Sequence, residues 1–332
     1  MILSSSYIWA EYKYNDPFKY FKNQAIFFVL GLFLMYIISK IDYKLYLKKS
    51  NLIILICIIL LILVLIPGIG AVRNGSRSWF KIGSFGIQPS ELTKLGLIIF
   101  TSKYLCNNKK ILPIILFSVF IFGLIMLQPD FGTGTVLLMS IFGILFVGGM
   151  KMSFIFKIVG AGLSMVVILI MIAPYRLARI LSFLNPWSDP LGSGFQIIQS
   201  LYAIGPGGLF GMGLGNSIQK YFYLPEPQTD FIFSIISEEF GFMGVIIVVT
   251  LLLSIIINGF KIAYKTNDLF AKYLSFGIVF SLSFQALLNL MVVVGLVPVT
   301  GVTLPFLSYG GSSLLISMAS IVVLINISKC NN

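Results

Sequence analysis

The chain is built from continuous apolar runs, separated by polar segments rich in glycine and proline. The runs fall near 24–39, 51–67, 90–106, 111–127, 134–150, 157–174, 231–259, 271–294 and 311–327. Each approaches the roughly 20 residues that an α-helix needs to cross a bilayer. They are continuous rather than alternating, which excludes transmembrane β-strands. The pattern predicts an all-α, polytopic membrane helix bundle of nine spans, with residues 1–332 forming one integral membrane domain. The longest interruption runs from 175 to 230 and carries tryptophan, phenylalanine, leucine and isoleucine throughout. A segment of that kind is expected to pack as short helices over the mouth of the bundle rather than to act as a linker. No internal repeat is visible, which counts against a transporter built from inverted repeats.

Composition narrows the class. The chain is 58% hydrophobic and only 10% charged, whereas a soluble domain carries about 25% charged residues. A net charge of +12 raises the question of nucleic acid. The lysines and arginines lie in short clusters between spans, however, and form no basic domain, so no nucleic-acid partner is expected. Their distribution instead orients the spans. Lysines crowd the loops near 40–50, 103–110, 151–157 and 260–272 and the C-terminal tail. Positive charge favours the cytoplasm, so these loops and the C-terminus are expected inside the cell membrane. The loops near 1–23, 68–89, 128–133, 175–230 and 295–310 then face outward, and chemistry is expected there. Cys57, Cys106 and Cys330 have no metal-ligand spacing, so no zinc or haem site is predicted.

The polar residues supply the candidate chemistry. There are eleven carboxylates and no histidine, so proton transfer near neutral pH falls to a carboxylate, lysine, tyrosine or water. Asp230 closes the polar segment Tyr223-Leu-Pro-Glu-Pro-Gln-Thr-Asp230 just ahead of a long apolar run. A carboxylate at that boundary caps a helix, pairs with a cation or does chemistry. Glu91 and Lys94 are i, i+3 in a helix opened by Pro89, so an ion pair and a charged cavity lining are both open to them. Asp130 is expected to cap the helix that follows it. Glu238 and Glu239 cannot both face lipid, and are expected to pair with Lys94 or an arginine or to stand above the bilayer. Arg73, Arg77, Lys81, Arg176 and Arg179 lie at the outer boundary. They suit either lipid headgroups or an anionic substrate, since guanidinium groups grip phosphates with paired hydrogen bonds. The glycine run from Gly205 to Gly215 follows no strand and is not a dinucleotide fingerprint, so tight turning and close packing are expected of it.

In order along the chain come Asn74-Gly-Ser-Arg-Ser-Trp79, Gln88-Pro-Ser-Glu91 with Lys94, Gln128-Pro-Asp130, Asn185-Pro-Trp, Gly192-Ser-Gly-Phe-Gln196, Thr229-Asp230-Phe-Ile-Phe and Pro305-Phe-Leu-Ser-Tyr-Gly-Gly-Ser-Ser313. With these motifs the whole chain resembles the SEDS family (shape, elongation, division and sporulation), in its division and spore-cortex branch. The resemblance implies a peptidoglycan glycosyltransferase that polymerises lipid II and works with a class B penicillin-binding protein among divisome or sporulation proteins. It implies Asp230 as the catalytic carboxylate, and Arg73, Arg77, Glu91, Lys94, Arg176, Arg179 and Gln196 on the substrate. No cofactor is required. A divalent cation on the leaving pyrophosphate is compatible with the site, but no ligand cluster demands one. The alternatives are a lipid II flippase and a scaffold that activates the penicillin-binding protein. Family members have ten spans. Here Ser4-Ser-Ser-Tyr-Ile-Trp9 follows Met1-Ile-Leu directly, so the first span is expected to be largely missing. Gln228 stands where many relatives have histidine, and Ser78 where many have arginine.

Overall fold

The computed structural model describes residues 1–73, 75–83, 85–107, 110–151 and 183–330, with single positions between 153 and 181. Its helices are α1 (Ile2–Tyr14), α2 (Lys19–Ser39), α3 (Lys44–Leu63), α4 (Pro89–Asn107), α5 (Leu112–Met126), α6 (Phe131–Val147), α7 (Phe195–Ile204), α8 (Ile232–Lys265), α9 (Leu269–Val293) and α10 (Gly311–Cys330). Among the described residues α2, α3, α8, α9 and α10 are long and apolar enough to cross a membrane, and α5 and α6 are shorter apolar helices. Eight of the nine predicted runs thus become helices α2–α6 and α8–α10. The run at 157–174 lies largely outside the described residues.

Two segments expected as plain loops are ordered. Residues within 1–23 form α1 and the start of α2, which begins at Lys19 rather than near 24. The 68–89 loop folds as an antiparallel sheet in the order β1-β2-β3, from β1 (Gly70–Arg73), β2 (Ser76–Ile82) and β3 (Phe85–Ile87). Gly70 pairs with Phe80 and Lys81 with Gly86. Such short strands leave little alternation to read, and the tight turn at Gly75 carries φ +80°. The helix starts obey local chemistry. Asp130 caps α6 by accepting from the Thr133 N–H at 3.2 Å, and Asp268 caps α9 by accepting from Phe270 at 3.3 Å.

Small residues let the helices approach. Gly31 of α2 meets Met318 of α10, Gly311 meets Phe27, Gly96 of α4 meets Cys57 of α3, and Gly277 of α9 meets Ile144 and Ile98. Where lipid is as apolar as leucine, such close packing is a main source of helix association. The main core gathers Leu97, Ile98, Ile121, Ile144, Leu274, Ile278 and Val323 around α4. A second core, with Leu224, Phe231, Ile232, Ile235, Val292 and Leu304, lies under the loops at the Asp230 end.

Helix α8 is broken at Gly241, where φ is 61° and ψ −157°. A break inside a span frees backbone groups that lipid cannot satisfy. The glycine run supplies the partners. Met212 and Gly213 N–H donate to the Glu238 and Glu239 carbonyls at 2.9 and 3.0 Å. Phe242 and Met243 N–H donate in turn to the Gly208 and Leu209 carbonyls at 2.9 and 3.1 Å. A Cβ on Gly207 would lie 2.1 Å from the Ser237 carbonyl oxygen, and one on Gly211 2.2 Å from that of Glu239. The expected role of the glycines, tight turns and close packing, is therefore realised against α8.

Candidate functional site

Asp230 lies where the long loop meets α8. The N-cap of α8 is Phe231, whose own side chain makes no capping hydrogen bond. Asp230 thus stands one residue ahead of the cap position. Its carboxylate Oδ1 accepts from the Thr229 hydroxyl at 2.9 Å. Its backbone carbonyl accepts from Asn289 Nδ2 at 2.7 Å, and the same amide nitrogen donates to the Val302 carbonyl at 2.7 Å. Nearby, the Tyr309 N–H donates to the Gln228 carbonyl at 2.7 Å. The catalytic candidate is therefore tied by backbone to α9 and to the 294–310 loop.

The ion pair foreseen on α4 is present. Lys94 Nζ lies 3.0 Å from Glu91 Oε2, with both side chains buried. Lys94 also donates to Gln285 Oε1 on α9 at 2.6 Å. Beside the pair is a cavity of about 20 Å³ lined by Ser281, Ser317 and Ser320 as well as Gln285, which is room for about one water molecule. Asp130 adjoins this region. It accepts from Gln88 Nε2 at 2.7 Å and the Ser90 hydroxyl at 3.2 Å, in addition to capping α6. Burial pushes its carboxyl above the ordinary value, hydrogen bonds from Thr133 and Ser90 oppose the rise, and nearby Glu91 adds to it.

Glu238 and Glu239 pair with neither Lys94 nor an arginine among the contacts seen. Glu239 Oε1 is 3.3 Å from Lys220 Nζ, with both side chains fully buried, and accepts from the Ser4 hydroxyl at 2.5 Å. Lys220 also donates to the Gly215 carbonyl and sits 5.5 Å from the Tyr7 ring. Glu238 accepts from the Ser217 hydroxyl at 2.5 Å and the Ile218 N–H at 2.7 Å. This node fastens α1 and the 215–220 limb to the first two turns of α8. Sequence reading missed Lys220, Gln285 and Asn289. Only the i, i+4 carboxamides inside an apolar run signalled the last two.

The arginines divide. Arg73 lies over Trp79 at 5.0 Å in a cation–π contact. Burial raises the Tyr309 phenol above its usual value, and a hydrogen bond with Asn23 and then the charge of Arg73 oppose that rise. Arg77 donates to the Leu65 carbonyl at 3.4 Å. Arg176 and Arg179 lie outside the described residues. Gln196 is half-buried in the first turn of α7, one turn from Ser200, whose hydroxyl bonds to Ser234 and to the Val293 carbonyl at 2.7 Å each. Among the described residues no group of three or more histidine, cysteine, aspartate or glutamate side chains gathers as a metal site.

These features define a multi-pass membrane helix bundle, with Asp230 where the long loop enters α8 and a buried ion pair on α4. The chain belongs to the FtsW/RodA/SpoVE family of cell cycle proteins, whose model matches residues 1–332. It is 50% identical to stage V sporulation protein E of Bacillus subtilis, over 99% of this chain and 92% of that protein. It is 40% identical to the probable peptidoglycan glycosyltransferase FtsW of Legionella pneumophila, over 100% of this chain and 87% of that one. Among solved structures, a chain from a peptidoglycan synthase complex that coordinates polymerization and crosslinking superposes with a TM-score of 0.80 at 31% identity, covering 99% of this chain and 95% of its own. The rod shape determining protein RodA of Thermus thermophilus gives a TM-score of 0.71 at 28% identity, with 99% and 93% covered.

Proposed function

We propose that this protein is a peptidoglycan glycosyltransferase that polymerises lipid II at the outer face of the cytoplasmic membrane, in cell division or spore cortex synthesis. The observation that carries this reading is Asp230, placed where the long loop enters α8 and held from α9 through its backbone carbonyl. The acceptor hydroxyl of one lipid II attacks the anomeric carbon of the growing chain. Asp230 takes the hydroxyl proton, the glycosidic bond forms, and the bond to the lipid pyrophosphate breaks. Arg73, with Arg77, Arg176 and Arg179 as further candidates, stabilises the charge on the leaving group. The lysine-rich loops and the C-terminus are cytoplasmic and the Asp230 end faces outward. A class B penicillin-binding protein supplies crosslinking, in keeping with the synthase complex that the fold resembles.

The cavity beside Glu91 and Lys94 has room for about one water molecule. The test is glycan-chain formation from purified lipid II by the wild type and by Asp230→Asn. Loss of about 10²–10⁴-fold in turnover is expected with folding retained, because a general base of this kind contributes that much. Near-wild-type polymerisation by Asp230→Asn would sink the assignment, and lipid II translocation without polymerisation by the wild type would favour the flippase.

A further inference from the structure

Two carboxamides on α9 stand one helical turn apart and point at the same loop. Gln285 and Asn289 are both buried, and no part of the proposed chemistry uses them. Their orientations are fixed by their partners. The Lys94 ammonium can only donate, so it must face the Gln285 carbonyl oxygen. That turns the Gln285 NH₂ toward Thr303, where it donates to the carbonyl at 3.0 Å and to the hydroxyl at 3.3 Å. Asn289 uses both N–H groups on carbonyls, those of Asp230 and Val302, and leaves its own oxygen without a partner. Val302 and Thr303 are neighbours in the chain, and the Thr303 hydroxyl also bonds to Ser313 at 2.9 Å. A continuous ladder therefore runs from Glu91 through Lys94, Gln285, Thr303, Val302 and Asn289 to the backbone of Asp230.

We propose that Gln285 and Asn289 are positioning residues, and that the buried Glu91–Lys94 pair serves to set the place of Asp230 through them rather than to touch the substrate. This rests on the reading of Asp230 as the base. A base must lie within hydrogen-bond reach of its proton, and displacement of about 1 Å costs on the order of 100-fold. The ladder is suited to that task because both ends are rigid. Lys94 is pinned by an ion pair on α4, and Asn289 grips backbone rather than a mobile side chain.

The experiment uses the full chain, alone and with its penicillin-binding partner, with lipid II as the probe. Asn289→Leu removes both bonds at similar volume. Gln285→Glu keeps an acceptor for Lys94 but cannot donate to Thr303. Each variant is expected to lower kcat, by roughly 10- to 100-fold for Asn289→Leu and about 10-fold for Gln285→Glu, with KM for lipid II within about twofold. The decisive arm repeats Asn289→Leu in the Asp230→Asn background. There its effect should shrink to about twofold, because the group it positions no longer acts. An equal loss in both backgrounds overturns the proposal, as does a rise in KM at unchanged kcat, which would put Lys94 or Gln285 on the substrate. Failure of both single variants to insert and melt cooperatively also overturns it, leaving a stabilising staple only. Near-wild-type activity of Asp230→Asn would instead show that the catalytic reading itself is wrong.

Discussion

Gly241→Ala is the sharpest perturbation the fold offers. Gly241 has φ 61° and ψ −157°, a region in practice reserved for glycine. Its added Cβ would lie 2.4 Å from the Gly211 nitrogen and 2.7 Å from the Gly207 carbonyl oxygen. The backbone conformation costs an alanine about 1–3 kcal/mol, and overpacking against rigid backbone costs a similar amount. The sum is about 2–6 kcal/mol if the break is kept. The alternative is that α8 straightens, which alanine favours over glycine by about 1 kcal/mol. Straightening expels the glycine run and forfeits its four backbone bonds to residues 238–243, each worth about 1 kcal/mol net. Regained intrahelical bonds offset part of that loss. Either way the 207–220 segment loosens, and the loop that ends in Asp230 loses its anchor. Thermal unfolding in detergent and proteolysis across 205–220 would report the loosening, and glycan synthesis would report its effect on the site. Gly123→Ala is the control. No atom lies within 4 Å of its added Cβ in α5, so it should be neutral or stabilise by up to about 1 kcal/mol. If Gly241→Ala melts like the wild type, resists protease and polymerises normally, the interlock does not hold the loop.

Lys220→Met should destabilise by about 3–5 kcal/mol, because it leaves Glu239 charged and buried without its cation. Lys220→Met with Glu239→Gln should recover much of that in a melting assay, and no recovery would mean that the pair is not the source of the loss. The raised Asp130 carboxyl has a definite sign for stability. The folded state holds the proton more tightly than the unfolded chain, whose value is near 3.8. Its destabilising effect is therefore absent below that pH, grows by at most ~1.4 kcal/mol per unit above it, and levels off above the folded value. Asp130→Asn retains a capping side chain and should flatten this component, so its stability relative to the wild type should rise with pH from about 4 upward. A constant difference across that range would refute the burial effect. Cys330 is exposed at the end of α10. A membrane-impermeant maleimide should label it only after permeabilisation and should label cysteines introduced at 185–220 in intact cells; the opposite pattern would reverse the topology.

What the sequence revealed was local, and what it hid was distant. The Asp130 cap and the Glu91–Lys94 pair follow from spacings of three residues on one helix. The apolar runs gave the spans because a bilayer demands about 20 such residues in a row. The partner of Glu239 was misjudged because Lys220 reaches it through a loop whose path depends on glycines packed against α8. Gln285 and Asn289 passed unnoticed because a neutral carboxamide barely disturbs the hydropathy of α9. The sheet was invisible because its strands hold four, seven and three residues. Asp230 was found for its scarcity, as a carboxylate at a boundary in a chain without histidine, while its backbone tie to Asn289 needed coordinates.

These hidden contacts share a physical reason. In a membrane, apolar helices gain little from burying leucine against leucine rather than against lipid, so their register along one another is weakly held. A slip of one turn, about 5.4 Å, is opposed chiefly by close-packed glycines and by polar bonds that cannot be remade elsewhere. Here α4 is locked to α9 by Lys94 and Gln285, α9 to both loops by Asn289 and Gln285, and α8 to the long loop by Glu238, Glu239 and the glycine run. A bond to a charged group is worth about 1.5–3 kcal/mol and a neutral one about 1 kcal/mol. A slipped register would lose several at once and leave the partners buried and unpaired. The chain thus joins the segments that meet at Asp230 by interlocking buried polar bonds, and leaves the lipid-facing sides of α2 and α8 to apolar residues such as Phe33, Ile247 and Leu251.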